Sequence, residues 1–388
     1  MNYGSLILKK NIERIVVRSP AAADETRNLT GLTFFLTGLL NLLAFCLKQP
    51  GPDSGILVFL ATVKRGITLL PTNPARFGAT RLMAAGFALA ALSTACTSSA
   101  QQAPQRPPPI RADTTALRAA LDSIAAAHQG VVGYTVIDIE NNVRLSHRGD
   151  EKFPTASLIK VPILVTVYDL VEKGQLSLDD PLTVLKIDKV PGSGILQHLR
   201  DGMTLPVKDA AWLMITISDN TATNLLLDRI IIRRVWAKMD SLGLTQTRVH
   251  SKSFLRNSSV AMDSSVKYGL GVTTPNEMAR LFELLATGKA VSPAADSAML
   301  RVLEQTDSDM MMQRFAGGVR TAHKSGETNE VRTECSLFHL RNRVVACVLT
   351  KENKDTRWIV DNEAQLTVAR MGEAVVKAWR GPPATAGQ

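Results

Sequence analysis

From residue 113 onward the apolar positions pass from mixed helix and strand spacing to helix spacing and back to strand. Leu117, Leu121 and Ile124 share one helical face, with Asp113 or Thr114 placed to cap it. Val131 to Ile139 alternates as a strand, Asn141-Asn142 supplies a turn, and Val143 to His147 returns. From Thr166 to about Thr306 helical spacing dominates. Within it Thr274-Pro275-Asn276-Glu277 reads as a capping box with proline at the first helical position. Met278, Leu281, Phe282 and Leu285 follow as a core-facing stripe. Strand spacing resumes over Val319 to Lys324, Val331 to Leu340 and Arg343 to Thr350, and a last amphipathic helix runs from about Asn362 to Trp379. The expected fold is α+β. An antiparallel sheet flanked by helices is built from both ends (113–165 and 307–380), with an all-α lobe (166–306) inserted. No repeat recurs at solenoid spacing.

The first 112 residues follow a different pattern. Leu29 to Leu47 is an apolar run ended by Lys48 and long enough to cross a bilayer. Arg76 and Arg81 precede the apolar stretch Leu82 to Leu92 and the small residues Ser93-Thr94-Ala95-Cys96, the layout of a secretory signal. That layout resembles a bacterial lipoprotein signal in which Cys96 becomes the lipidated first residue, although Ser93 stands where such signals prefer leucine. The Gln- and Pro-rich stretch 97–112 reads as an extended tether. Residues 1–81 read as a leader of doubtful origin, of which 1 to about 70 are expected to be an over-extended reading frame or else a separate membrane anchor through 29–47. Either way an exported protein is expected, in the periplasm or cell envelope, lipid-anchored if Cys96 is modified.

Composition excludes more than it identifies. The formal net charge of +10 suggests nucleic acid, but residues 1–96 carry ten Lys/Arg against four Asp/Glu, so the body is nearly balanced. No aromatic-interleaved basic stripe appears, and nucleic-acid binding is not expected. The four cysteines form no disulfide framework. Cys335 and Cys347 lie on neighbouring expected strands; a bridge is open to them, and two packed thiols are favoured. No C-x-x-C or H-E-x-x-H spacing points to a metal, and no cofactor is expected. Met310-Met311-Met312 reads as packing, and His250 as no triad base, since no G-x-S-x-G elbow accompanies it.

The chemistry begins at Phe153-Pro154-Thr155-Ala156-Ser157-Leu158-Ile159-Lys160. Positions three apart share a helical face, so the Ser157 hydroxyl and the Lys160 amine can meet at a helix start rich in free N–H groups. A second S-x-x-K, Ser264 to Lys267, lies in a polar segment with no apolar run behind it and is set aside. Ser218-Asp219-Asn220 sits between one expected helix and the next, with Asp219 suited to capping. His323-Lys324-Ser325-Gly326 is expected to close a strand, its Lys324 and Ser325 able to hold a carboxylate. Gly326 leaves room for an amide-bearing ligand to approach the strand.

S-x-x-K, S-D-N and K-[ST]-G in that order, 61 and 106 residues apart, are the signature of class A β-lactamases and penicillin-binding proteins. The sequence resembles a class A β-lactamase from roughly Asp113 to Trp379. The flanking Leu199-Arg200-Asp201-Gly202-Met203-Thr204 and Asn220 to Leu226 look like that family too. The resemblance implies Ser157 as acylated nucleophile, Lys160 as its base and Ser218 as proton relay. It implies Asn220 as binder of the substrate's side-chain amide, and the N–H groups of Ser157 and Glu327 as oxyanion hole. Lys324 and Ser325 would hold the carboxylate, with Arg332 close to where the family often keeps a further arginine. It also exposes a departure. Where the family has Glu-x-x-x-Asn in the inter-lobe loop, this chain has Ser253 and then Asn257, and no carboxylate occurs between Thr247 and Met262. The expected function is a monomeric serine hydrolase opening β-lactam rings. The alternatives are a D-alanyl-D-alanine peptidase or esterase on peptidoglycan-like substrates, or a β-lactam-binding sensor that acylates and stalls.

Overall fold

A computed structural model of the protein describes residues 108–307 and 310–380. Segment 29–47, the signal-like stretch 82–96 with Cys96, and residues 97–107 of the tether lie outside it. Among the described residues no helix is long and apolar enough to cross a membrane.

Helix α1 (Thr114–Ala127) starts at Asp113, whose carboxylate accepts from the N–H groups of Thr115 and Ala116. Strands β1 (Val131–Asp138) and β2 (Val143–His147) form the expected hairpin. After β3 (Phe153–Pro154) and a 3-10 turn, Ala156–Ile159, comes α2 (Lys160–Glu172). The inserted segment contains α3 (Val207–Thr216), α4 (Asn220–Ile230), α5 (Ile232–Ser241), α6 (Met262–Tyr268), α7 (Pro275–Ala286) and α8 (Pro293–Leu303). It is not wholly helical. Pro181–Val184 pairs with Met203–Pro206, and Arg248–Val249 and Gly271–Thr273 form a small sheet with β3. These short pieces carry too few alternating positions to stand out from helical spacing. Three long strands, β4 (Thr321–Thr328), β5 (Val331–His339) and β6 (Arg343–Lys351), precede α9 (Glu363–Arg380).

The main sheet runs β2-β1-β6-β5-β4, antiparallel throughout, so β4 is an edge strand. Alternation along each strand feeds two cores. Tyr134, Val136, Phe338, Val344 and Val348 pack under α1 and α9 with Leu121, Val368 and Trp379. Ile137, Leu337, Val345 and Leu349 face the other way, toward α7 and the helical insertion. Helices cover both faces, and the strands therefore read as nearly continuous apolar runs.

Four details differ from expectation. Lys324-Ser325-Gly326 lies in the middle of β4, which continues to Thr328 before the hairpin turn, because a glycine in an edge strand need not end it. Only half of the capping box forms. Thr274 accepts from the Glu277 N–H at 3.1 Å, while the Glu277 carboxylate binds the Gln246 N–H and the Thr247 hydroxyl. Cys335 and Cys347 are disulfide-bonded, not packed as free thiols, because the β5–β6 register sets them directly opposite. Finally, the tether's end is pinned, with Ile110 bonded through its N–H and carbonyl to Asn342 and Asn141.

Asp138 ties the two terminal segments together. Its buried carboxylate accepts from Asn141, Asn342 and the Trp379 indole at 2.7–2.8 Å. Asp138→Ala strands these buried donors and is expected to cost about 3 kcal/mol or more, read as a lowered urea midpoint with an unchanged slope.

Candidate active site

The three sequence motifs meet where β4, the Ala156–Ile159 turn and the α3–α4 junction come together. The turn lies against the edge strand because Gly326 has no side chain. A Cβ there would fall 2.8 Å from the Ser157 nitrogen and 2.7 Å from that of Leu158, and closer still to the Thr155 carbonyl. The glycine thus makes room for the serine's own backbone, a tighter demand than the expected approach of a ligand. Thr333, opposite Gly326 in the register, donates its hydroxyl to the same Thr155 carbonyl at 3.0 Å.

Ser157 is half-buried, and the residue before it, Ala156, has φ +44°. Ser218 has φ +57°. Non-glycine residues in this region are strained and persist where the surroundings over-determine them, as active sites do. Lys160 opens α2 and is fully buried. Its Nζ donates to the Ser218 carbonyl at 2.7 Å, to Asn220 Oδ1 at 2.9 Å and to Ser218 Oγ at 3.1 Å. The amine therefore bonds across to the helical lobe rather than to the Ser157 hydroxyl. Burial lowers its pKa well below that of an exposed lysine, the Lys324 cation lowers it further, and Asp219 opposes both.

Asp219 caps α4 through the Ala222 N–H at 2.8 Å and also accepts from the Ile195 and Leu196 N–H groups at 2.7 and 2.9 Å. Asn220 donates its backbone N–H to the Ser193 carbonyl at 3.0 Å and an amide hydrogen to the Pro191 carbonyl at 3.1 Å. The loop Pro191–Leu196 is thus part of the site, which sequence reasoning missed. The available signal was the pair Gly192 and Gly194, both at positive φ, with Gly194 packed on Asp219.

Lys324 is buried and donates to the Ser325 carbonyl at 2.9 Å. Desolvation brings its pKa down to about 8, against the pull of Glu334 and Glu327. His323 bonds Glu334 at 2.7 Å, and Glu334 also accepts the Met312 N–H, so the strand beside the lysine is held from its far face. Arg332, expected near the carboxylate, has other partners in the structure. Its buried guanidinium pairs with Glu327 at 3.4 Å, lies 4.7 Å from the Trp358 ring centre and donates to the carbonyls of Thr328, Val331 and Arg357. Thr328 and Val331 flank the β4–β5 turn and Arg357 follows β6, so the side chain ties these segments together.

In the inter-lobe loop Ser253 is clamped by its backbone. Its N–H donates to Asn224 Oδ1 at 2.7 Å and its carbonyl accepts from Asn224 Nδ2 at 3.0 Å. Among the described residues its hydroxyl is buried without a partner. Asn257 is exposed, on the short turn Arg256–Ser258. His250 is buried with Nδ1 on the Gly269 carbonyl, and Met311 and Met312 are core. Among the described residues no cluster of three His, Cys, Asp or Glu is arranged to hold a metal.

A family model described as the β-lactamase enzyme family matches residues 116–379. A β-lactamase of Proteus vulgaris is 31% identical over 274 residues, which are 68% of this chain and 87% of that protein. Among solved structures, a β-lactamase from Sphaerobacter thermophilus DSM 20745 superposes with a TM-score of 0.62 at 29% identity, covering 70% of this chain and 100% of that one. The structure of PBP-A gives 0.61 at 25% identity, covering 71% and 99%.

One consequence concerns pH. Lys324 is cationic below about pH 8 and loses its charge as the pH rises through that value. Affinity for a carboxylate ligand in this cleft is expected to be constant from pH 6 to 7 and to fall by about tenfold by pH 9.5, measured as KM or as the half-saturating concentration for acylation. Lys324→Arg, whose guanidinium stays charged, should flatten that profile.

Proposed function

The chain belongs to the β-lactamase enzyme family, and we propose that it opens β-lactam rings through an ester on Ser157. The observation that carries this reading is the buried Lys160 amine, held between Ser218 and Asn220, with its pKa lowered well below that of an exposed lysine by burial and then by Lys324.

As a free amine, Lys160 keeps two N–H bonds for the Ser218 carbonyl and Asn220 and has a lone pair to accept a proton. Ser157 Oγ attacks the lactam carbonyl carbon while its proton passes to Lys160. The carbonyl oxygen gains charge between the N–H groups of Ser157 and Glu327, each such donor being worth about 3 kcal/mol of barrier. The C–N bond then breaks, and Ser218 gives its proton to the departing nitrogen and takes one back from Lys160. Lys324 and Ser325 hold the substrate carboxylate throughout. The products of this half-reaction are an acyl-Ser157 ester and the freed ring nitrogen.

Completion requires water to attack that ester, and here the site is poorly equipped. Ser253, in the place of the family's glutamate, offers a hydroxyl that cannot act as a general base at neutral pH. Deacylation is therefore the slow half-reaction, and the protein behaves as an acylating hydrolase with low turnover, close to a β-lactam binder. Export to the cell envelope, with anchoring through Cys96 or segment 29–47, belongs to the same proposal and is supported by the sequence pattern alone.

Intact-mass time courses after adding benzylpenicillin test the reading. One adduct per chain is expected within the mixing time, decaying slowly, and none with Ser157→Ala. Ser253→Glu should speed loss of the adduct about a hundredfold without slowing its formation. No adduct on the unmodified protein would refute the proposal.

A further inference from the structure

Four residues of the inter-lobe loop make a tight turn. Leu255 N–H returns to the Lys252 carbonyl at 3.2 Å, and the ends of Lys252-Ser253-Phe254-Leu255 form an isolated bridge. The second residue is fixed through both backbone groups to Asn224. The third, Phe254, has φ +58°, a conformation that suits glycine or asparagine and strains a side chain. The residue is nevertheless 65% exposed. Backbone strain and an exposed phenyl ring both cost free energy, and the ring's exposure shows that burial in the fold does not return it.

One edge of the ring lies beside Gly192. A Cβ on Gly192 would lie 3.0 Å from Phe254 Cε2 and 2.7 Å from Asn220 Nδ2, so the ring edge and the amide nitrogen flank one spot. That spot is open because Gly192, at φ +90°, has no side chain. The Asn220 amide is oriented by its neighbours, with Oδ1 accepting from Lys160 and one Nδ2 hydrogen on the Pro191 carbonyl. Its second Nδ2 hydrogen remains for a ligand carbonyl. Any group attached to that carbonyl is then brought against the Phe254 ring.

We propose that Phe254 is a specificity-determining residue whose exposed ring forms the wall against which the acyl side chain of the substrate lies. The inference rests on the β-lactam reading of the cleft and deepens it. A flat aryl side chain gains an offset or edge-on contact with the ring, worth about tenfold in binding. A substrate without an acyl group gains nothing from it. Selectivity for arylacyl substrates is then set by a residue of the same turn that holds Ser253, so the loop that lacks a deacylating carboxylate still sorts what acylates.

The experiment compares acylation of the full chain by benzylpenicillin and by 6-aminopenicillanic acid, which has the same fused ring and no acyl side chain. Second-order rates come from intact mass. The unmodified protein is expected to favour benzylpenicillin, and Phe254→Gly to cut the ratio of the two rates about tenfold while its Tm holds or rises, since glycine accepts φ +58°. Phe254→Leu, which keeps apolar bulk without a flat face, should fall between and serves if the glycine variant does not fold. An unchanged ratio in the variant that folds overturns the wall and leaves the cleft reading standing. A lowered Tm with both compounds slowed equally makes Phe254 structural and overturns the inference as well. Failure of both compounds to label the unmodified protein removes the cleft reading itself.

Discussion

A lysine amine taken wholly out of water is the contact on which the rest of the site depends. Lys160 starts a helix of the sheet-bearing lobe, and its Nζ reaches three acceptors supplied by Ser218 and Asn220 of the inserted lobe. The bonds fix the junction between the lobes, and the burial favours the free amine. Both effects need the same geometry. An ammonium stranded there would keep its hydrogen bonds and lose its hydration, with Lys324 close enough to add repulsion. A buried lysine whose pKa is pulled down is poor for stability and useful for chemistry, and the positive φ angles of Ala156 and Ser218 are strain of the same kind.

The sheet supplies the rigidity that this arrangement requires. β4 is an edge strand, and it is restrained by the elements around it. Gly326 lets the Ser157 turn seat directly on it, Thr333 reaches across to the Thr155 carbonyl, and His323 is tied to Glu334 on the next strand. One strand further, the Cys335–Cys347 bridge joins β5 to β6. Arg332 belongs to this scaffold too, since it ties together the segments that flank the turn after Glu327.

Much of this was legible in the sequence, for physical reasons. Helix caps such as Asp113 and Thr274 act within a few residues, and core strands advertise themselves through long apolar runs, so the α+β architecture could be read directly. Ser157, Lys160, Ser218 and Lys324 could be read because their order and spacing are rare by chance. What escaped depends on contacts distant in sequence. The disulfide needed the strand register, and the role of Gly326 needed the turn that rests on it. Arg332 was placed by the family resemblance, and only the turn's carbonyls and Glu327 show what occupies it. The Pro191–Leu196 loop carries no motif, and its part in the site comes from backbone groups that bind Asp219 and Asn220.

The most direct test of the central claim is the protonation of Lys160 itself. In protein labelled with 13C-lysine, the Lys160 Cε resonance, assigned by its loss in Lys160→Met, can be followed with pH. The account requires it to titrate well below the exposed lysines of the same chain, and Lys324→Met to move that transition upward. A Lys160 signal that titrates together with the exposed lysines would contradict the account.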